Sequence, residues 1–240
     1  YSFDGTGDYL SIPDHADWDI VDGWTVGYWV KHNAPSGQET HVCHGAGTIN
    51  RWLIRNVAGW YLEFHIRSSN SVVVSIFGTE ITDTDWHHIA VTRSGSTYTL
   101  WRDGVSDGTD TNATNYTVAD DLFVAAESGT GAVLNGTMDE IRISDTARWT
   151  SNFTPPISQY TSDANTKLLI HGDESKTGTT GSGATFTDSG NTGHTVTENG
   201  NAIADNPTGN GAIFTDSGNT GHTVSEKGDA KAFEGKFYKF

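Results

Sequence analysis

The sequence predicts an all-β protein, a sandwich or barrel of short antiparallel strands. Three observations carry this expectation. Apolar and polar residues alternate over short runs, turn residues recur about every eight to twelve positions, and no helical period of useful length appears. Composition agrees: among 240 residues there are 28 Gly, 8 Trp, 8 Tyr and 10 Phe but a single Met. That is the make-up of strands joined by tight turns around an aromatic core.

The organising stretch runs from Trp86 to Gly104, WHHIAVTRSGSTYTLWRDG. Ile89 and Val91 share one face of its first arm, Tyr98 and Leu100 one face of its second, and Ser94-Gly95-Ser96 supplies the bend of a β-hairpin. Ahead of it, Tyr1 to Pro13 reads as two short strands around a Gly-rich bend, with Phe3, Tyr9, Leu10 and Ile12 directed to the core. Trp24 to His32 is the strongest strand. Its aromatics fall on both faces, so it is expected to be covered on each side. Glu39 to His44, Arg51 to Asn56, Gly59 to Arg67 and Ser71 to Phe77 complete the first half.

After the hairpin, Val105 to Tyr116 is polar and is expected to cross solvent rather than join a sheet. Leu122 to Ala126 is a short strand and Val133 to Ser144 a closing one. In the latter Met138, Ile141 and Ile143 break alternation around Asp139-Glu140, which marks a bulge. Asp145 to Trp149 is read as one helical turn. The remainder changes character: one strand, Thr166 to Asp173, is followed by a Gly, Thr and Ser tract and then by a repeat. Phe186 to Val196, FTDSGNTGHTV, returns unchanged at Phe214 to Val224, a period of 28 residues.

A formal net charge of −16 with only 14 Lys and Arg argues against nucleic acid. Acidic loops suit a hard cation such as Ca²⁺, or solubility alone. Cys43 is the single cysteine, so there is no disulfide framework, and it is expected to pack as a small buried residue. No apolar run reaches the ~18 residues that a membrane span requires, so no membrane insertion is expected. Tyr1 opens inside a strand-like segment with no signal peptide before it, which points to a processed or partial chain. His87 and His88 alternate in face and cannot chelate together. A Zn²⁺ site from His41, His44 and His171 has no supporting spacing. Sequons stand at Asn112, Asn115, Asn135 and Asn152.

Glycan binding is the functional reading the residues favour. Sugars are held by aromatic faces and loop hydrogen bonds, and Trp18, Trp52, Trp60 and Trp149 lie near turns. Asp139 and Glu140, adjacent on a strand, point to opposite faces and cannot act as a catalytic carboxylate pair.

Taken as a set, FDGTGDYLSIP, WTVGYWVK, WHHIAVTRSG, LWRDG and GTMDEIRISDTARW resemble the laminin-G-like modules of the concanavalin A-like lectin/glucanase superfamily. The resemblance spans Tyr1 to about Pro156. It implies a two-sheet antiparallel jelly-roll sandwich over residues 1–160, with a Gly/Thr-rich extension over 161–240 that completes the same or a neighbouring sandwich. In similar modules the KLLIHGD and FTDSGNTGHTV segments come before the FDG strand; here they follow it, as in a circular permutation or a cut between modules. The resemblance further implies a structural Ca²⁺ near Asp4 and Asp139, joined by Asp188. It implies no enzyme, since the Glu-x-Asp-x-x-Glu spacing of glucanases on this fold is absent. A homo-oligomeric module of a virion or cell surface, working outside the cell with glycans as partners, is the expected role, and a purely structural self-assembling subunit is the alternative.

Overall fold

The computed structural model describes residues 1–34, 37–47, 49–128, 131–171 and 188–199. Among the described residues, fourteen strands build two antiparallel sheets. In chain order they are β1 Ser2–Asp4, β2 Tyr9–Ile12, β3 Trp24–His32, β4 Glu39–His44, β5 Arg51–Asn56, β6 Tyr61–Ser68, β7 Ser71–Glu80, β8 His87–Ser94, β9 Thr97–Arg102, β10 Val105–Thr111, β11 Leu122–Val124, β12 Asn135–Ser144, β13 Thr166–Ile170 and β14 Thr197–Asn199. The first sheet runs β1-β12-β3-β8-β9-β10, with β13 also on β12; the second runs β14-β2-β11-β4-β5-β6-β7. The all-β, two-sheet expectation is met.

Alternation explains the core. Trp24, Val26, Tyr28 and Val30 of β3 face Trp52 and Ile54 of β5 and Phe64 of β6 across the sandwich, all fully buried. Trp24 and Trp52 meet edge to face at 5.0 Å, the geometry that aromatic quadrupoles favour. The opposite face of β3 is covered as well. Trp29 donates its indole N–H to Pro156 O at 3.2 Å, beneath the 145–163 segment that crosses the outside of the first sheet. Arg148 pins that segment through a forked pair to Asp163, at 2.8 and 2.9 Å. The helical turn expected at Asp145 to Trp149 is therefore not formed, because Arg148 is drawn out to Asp163 and Ser144; among the described residues the helical turn is instead a 3₁₀ turn at Ala16–Trp18.

Val105 to Thr111 is strand, not crossing, and the reason is chemical. Asp107 accepts from Thr79 N and Thr79 Oγ1 at 2.9 Å, and Asp110 accepts from Ser75 N at 2.8 Å. These carboxylates satisfy N–H groups on β7, the outer strand of the second sheet, which would otherwise offer a bare edge. The polarity that looked like solvent exposure closes one side of the sandwich.

Strand β12 holds β1 and β13 end to end on one edge. Ser2 to Asp4 pair with Asn135 to Thr137, and Thr166 to Ile170 pair with Ile141 to Ser144. Between them the register against β3 breaks from Asp139 to Arg142, and Glu140 takes φ +53, so the bulge read from the sequence is present. Glu140 is buried, with Oε1 2.7 Å from His171 Nδ1 and Oε2 accepting from Tyr160 N at 2.5 Å. The 188–199 segment packs beside β13. Asp188 accepts from Leu169 N and Gly190 N on one oxygen and His194 N on the other, Val196 enters the core, and β14 pairs with β2. The remainder of the extension, including the 214–224 copy, lies outside the described residues.

Glu140→Ala takes the carboxylate acceptor from the buried Tyr160 amide and removes the Glu140 bond of the His171 imidazole, so unfolding in urea is expected to lose about 2–4 kcal/mol. A loss under about 0.5 kcal/mol, the level of an ordinary surface substitution, would remove this carboxylate from the account of the fold.

Buried imidazoles set the pH dependence. Burial lowers the pKa of His41 and His44 and brings His88 down to about 3. Each is neutral in the folded chain but titrates normally when unfolded. Their stability is complete above about pH 6.5 and is lost as pH falls toward the folded values, at up to about 1.4 kcal/mol per pH unit per group. His87 has the opposite sign, because the hydrogen bond to Asp103 raises its pKa and favours the folded chain as pH falls. Burial lowers His194 as well, so with four groups against one the urea midpoint is expected to drop between about pH 7 and about pH 5; a level or rising midpoint would contradict the assignment.

Candidate functional site

The hairpin β8–β9 places polar side chains on the outside of the first sheet. Thr92 pairs with Thr99 and Ser94 with Thr97, so two cross-strand hydroxyl pairs stand side by side just below the Gly95 turn. Their inward neighbours Val91, Tyr98 and Leu100 are in the core. The 145–163 segment covers the rest of this face and stops short of these pairs, and where it enters, Trp149 and Thr150 form the opposite wall. The result is an open groove of about 240 Å³ lined by Thr92, Ser94, Thr97, Thr99, Trp149 and Thr150.

The walls are held rigidly. One face of the Trp149 ring stacks on Phe153 at 4.1 Å and 8° between planes, and the Arg142 guanidinium lies 5.8 Å from the indole centroid. Thr92 Oγ1 accepts the Trp101 indole N–H at 2.8 Å, fixing the groove floor. Phe153 is held in turn by its N–H to Gly104 O at 2.8 Å. A half-buried indole facing hydroxyls that both donate and accept can hold a polyhydroxylated ring by its apolar side and its edge. Its volume lies just below the ~300–1,000 Å³ usual for ligand pockets, so it takes about one ring.

Of the four tryptophans singled out in the sequence, Trp149 alone lines this groove. Trp18 and Trp52 are fully buried: the Trp18 indole donates to Pro13 O at 3.1 Å and that of Trp52 to Trp18 O at 2.9 Å. Trp60, 7% exposed, packs against the His32 ring at 4.9 Å. These three are core residues because turns near the sandwich ends fold inward over it, leaving no ring face for a sugar. The hydroxyl pairs were missed. Their signal was present, since Thr92, Ser94, Thr97 and Thr99 occupy the polar half of the hairpin alternation, but a polar half also describes any wetted sheet face.

Asp4, Asp139 and Asp188 are not brought together into a cluster. Asp4 Oδ1 accepts from Thr6 N at 2.6 Å, a local turn, and Asp139 Oδ1 from Glu140 N at 2.8 Å. Asp188 spends both oxygens on backbone N–H groups. His41, His44 and His171 are likewise apart in function, paired with Tyr28, the Asp120 carbonyl and Glu140. Burial pushes the Cys43 thiol up to about 12, so it stays protonated and inert.

Among the described residues, the buried carboxylates Glu63 and Glu140 are each engaged by neighbouring groups. On the outside of the second sheet Glu63 lies 2.6 Å from Arg55 Nε and 3.1 Å from His65 Nδ1. Burial pushes this carboxyl up, but the bonds from His65 and Arg55 outweigh it and hold it below its ordinary value, opposite to the shift a general acid needs. Glu140 has both oxygens engaged.

Among solved structures, a candidate carbohydrate-binding protein from Bacteroides ovatus ATCC 8483 matches with TM-score 0.56 at 14% identity, over 75% of this chain and 53% of that one. This chain thus spans about half the length of that relative. The CBM40 of the Ruminococcus gnavus IT-sialidase, solved with α2,3 sialyllactose, matches with TM-score 0.51 at 7% identity over 62% and 91%. Mouse laminin α1 chain domains LG4-5 match with TM-score 0.50 at 13% identity over 65% and 46%. At such identities the likeness is one of fold. No curated protein matches significantly. The family model of the concanavalin A-like lectin/glucanases superfamily matches residues 4–152, from β1 to the wall of the groove, and the chain belongs to that superfamily.

Proposed function

We propose that this protein is a non-enzymatic carbohydrate-binding module that works outside the cell, as part of a virion or surface assembly. The observation that carries this reading is the groove in which Trp149 faces the Thr92–Thr99 and Ser94–Thr97 hydroxyl pairs. It is supported by the carbohydrate-binding descriptions of structures sharing the fold. The lining residues carry no charge, and the chain as a whole carries −16. Both favour a neutral sugar over an acidic one, since a field of this sign repels anionic glycans.

A second reading, a self-assembling structural subunit, draws on the extension. The 188–196 part of one repeat copy packs on this sandwich, and the identical residues return at 216–224. Leu168, Ile170 and Val196 are core residues, so a shortened chain must keep them and is best ended after Gly200. If the full chain is an oligomer and the shortened chain a folded monomer, the subunit reading gains its support; two monomers would sink it.

On an array of neutral and acidic glycans the wild-type chain is expected to retain neutral ligands, and Trp149→Ala to weaken the best of them more than about tenfold. Thr97→Val, at an exposed position, tests the same groove without touching the Phe153 stack, and is expected to weaken binding several-fold. Absence of any retained neutral glycan, or binding unchanged in both variants, would overturn the proposal.

A further inference from the structure

A second cluster, which shares no residue with the groove, lies where the 3₁₀ turn Ala16–Trp18 meets the described part of the first repeat copy. Asp17 Oδ2 is 3.2 Å from His15 Nδ1 and 2.9 Å from His194 Nε2. Among the described residues these three form the group whose ligand atoms all lie within 4.8 Å of one another. Thr192 Oγ1 is 2.8 Å from the same His194 nitrogen. The His15 and His194 rings are 4.6 Å apart, and the Trp18 ring lies 4.3 Å from that of His194, walling one side.

Hydrogen bonds alone account poorly for this convergence. His15 Nδ1 accepts a 3.2 Å bond from Asp17 N, so it bears a lone pair, which a bound cation would take over from that N–H, and Asp17 Oδ2 lies 3.2 Å from the same nitrogen. Thr192 gives its hydroxyl proton to Lys167 O at 2.8 Å, and so turns a lone pair toward His194 Nε2. That nitrogen then has two oxygen acceptors and at most one proton to share. Several lone pairs thus point into one small volume, an arrangement that a cation resolves. The two Asp17 spacings, 3.2 and 2.9 Å, agree: with metal–N and metal–O bonds near 2.0–2.1 Å, neighbouring ligands of a tetrahedral ion lie about 3.3 Å apart.

We propose that His15 Nδ1, Asp17 Oδ2 and His194 Nε2 bind one borderline divalent cation of the Zn²⁺ class, with Thr192 Oγ1 or solvent in the remaining position. Two imidazoles and one carboxylate select Zn²⁺, Co²⁺, Ni²⁺ or Cu²⁺ over Ca²⁺ or Mg²⁺, which take oxygen ligands. The ion joins residues 177–179 positions apart in sequence and staples the 188–199 segment to the sandwich beside β2. Because His15 is exposed, the ion keeps a face open to water. The site is independent of the Trp149 groove.

The test is a titration of the metal-stripped full chain with Zn²⁺ by calorimetry, and with Co²⁺ by its visible d–d spectrum. One ion per chain in a tetrahedral-type Co²⁺ spectrum is expected, with Cu²⁺ quenching part of the tryptophan emission through Trp18. His15→Ala and His194→Ala are each expected to weaken binding by more than about tenfold, since even supporting residues of metal sites are worth about 10–100-fold. His222→Ala, the equivalent of His194 in the second repeat copy, should leave it unchanged. His15 is exposed, so His15→Ala keeps the test valid if His194→Ala fails to fold. No Zn²⁺ uptake by the wild-type chain, or uptake that persists undiminished in His15→Ala, would overturn the proposal.

Discussion

The bulge in β12 is the constraint on which the rest of the structure depends. A regular strand offers one continuous edge, and a single partner would occupy it. The extra residue at Asp139-Glu140 divides that edge into two, one for β1 and one for β13. The left-handed conformation at Glu140 carries a carboxylate into the gap, where it meets His171 just beyond β13 and the Tyr160 amide of the covering segment. One side chain therefore ties together three stretches that are remote in sequence. A buried carboxylate without these partners would be costly, which is why bulge and partners have to be understood together.

The same logic governs the outer strands. The outer strand β7 of the second sheet meets carboxylates of β10, and the β2 side of that sheet is covered by β14. The sandwich is closed with polar side chains on one side and with a returning segment on the other. β13 and β1 run in the same direction along β12, the end of one facing the start of the other. A chain joined there would carry β13 ahead of β1, the reverse of their order in this chain.

The groove follows from incomplete coverage. The 145–163 segment protects the aromatic part of the outer face, where Trp29, His88, Trp101 and Phe153 pack, and leaves the hydroxyl-bearing part of the β8–β9 hairpin open. Trp149 sits at the boundary, buried enough to be held and exposed enough to line the groove. Its neighbours in sequence are fixed by the Arg148–Asp163 fork, so the aromatic wall is positioned by an ion pair rather than by a strand.

What the sequence by itself determined was what periodicity and turn chemistry can encode: the all-β class, most strands, the β8–β9 hairpin, the bulge and the two-sided covering of β3. Those properties are local, since alternation shows which residues share a face and Gly-rich bends show where a strand stops. The tertiary structure decided what depends on residues remote in the chain. Val105 to Thr111 is a strand because β7 lies beside it, and Trp18, Trp52 and Trp60 are core because the loops that carry them fold inward. Trp149 faces hydroxyls brought from fifty or more positions away, and His194 meets His15 and Asp17 across nearly the whole described chain. A tryptophan near a turn has the same sequence signature whether it is buried or lines a groove, and only packing separates the two.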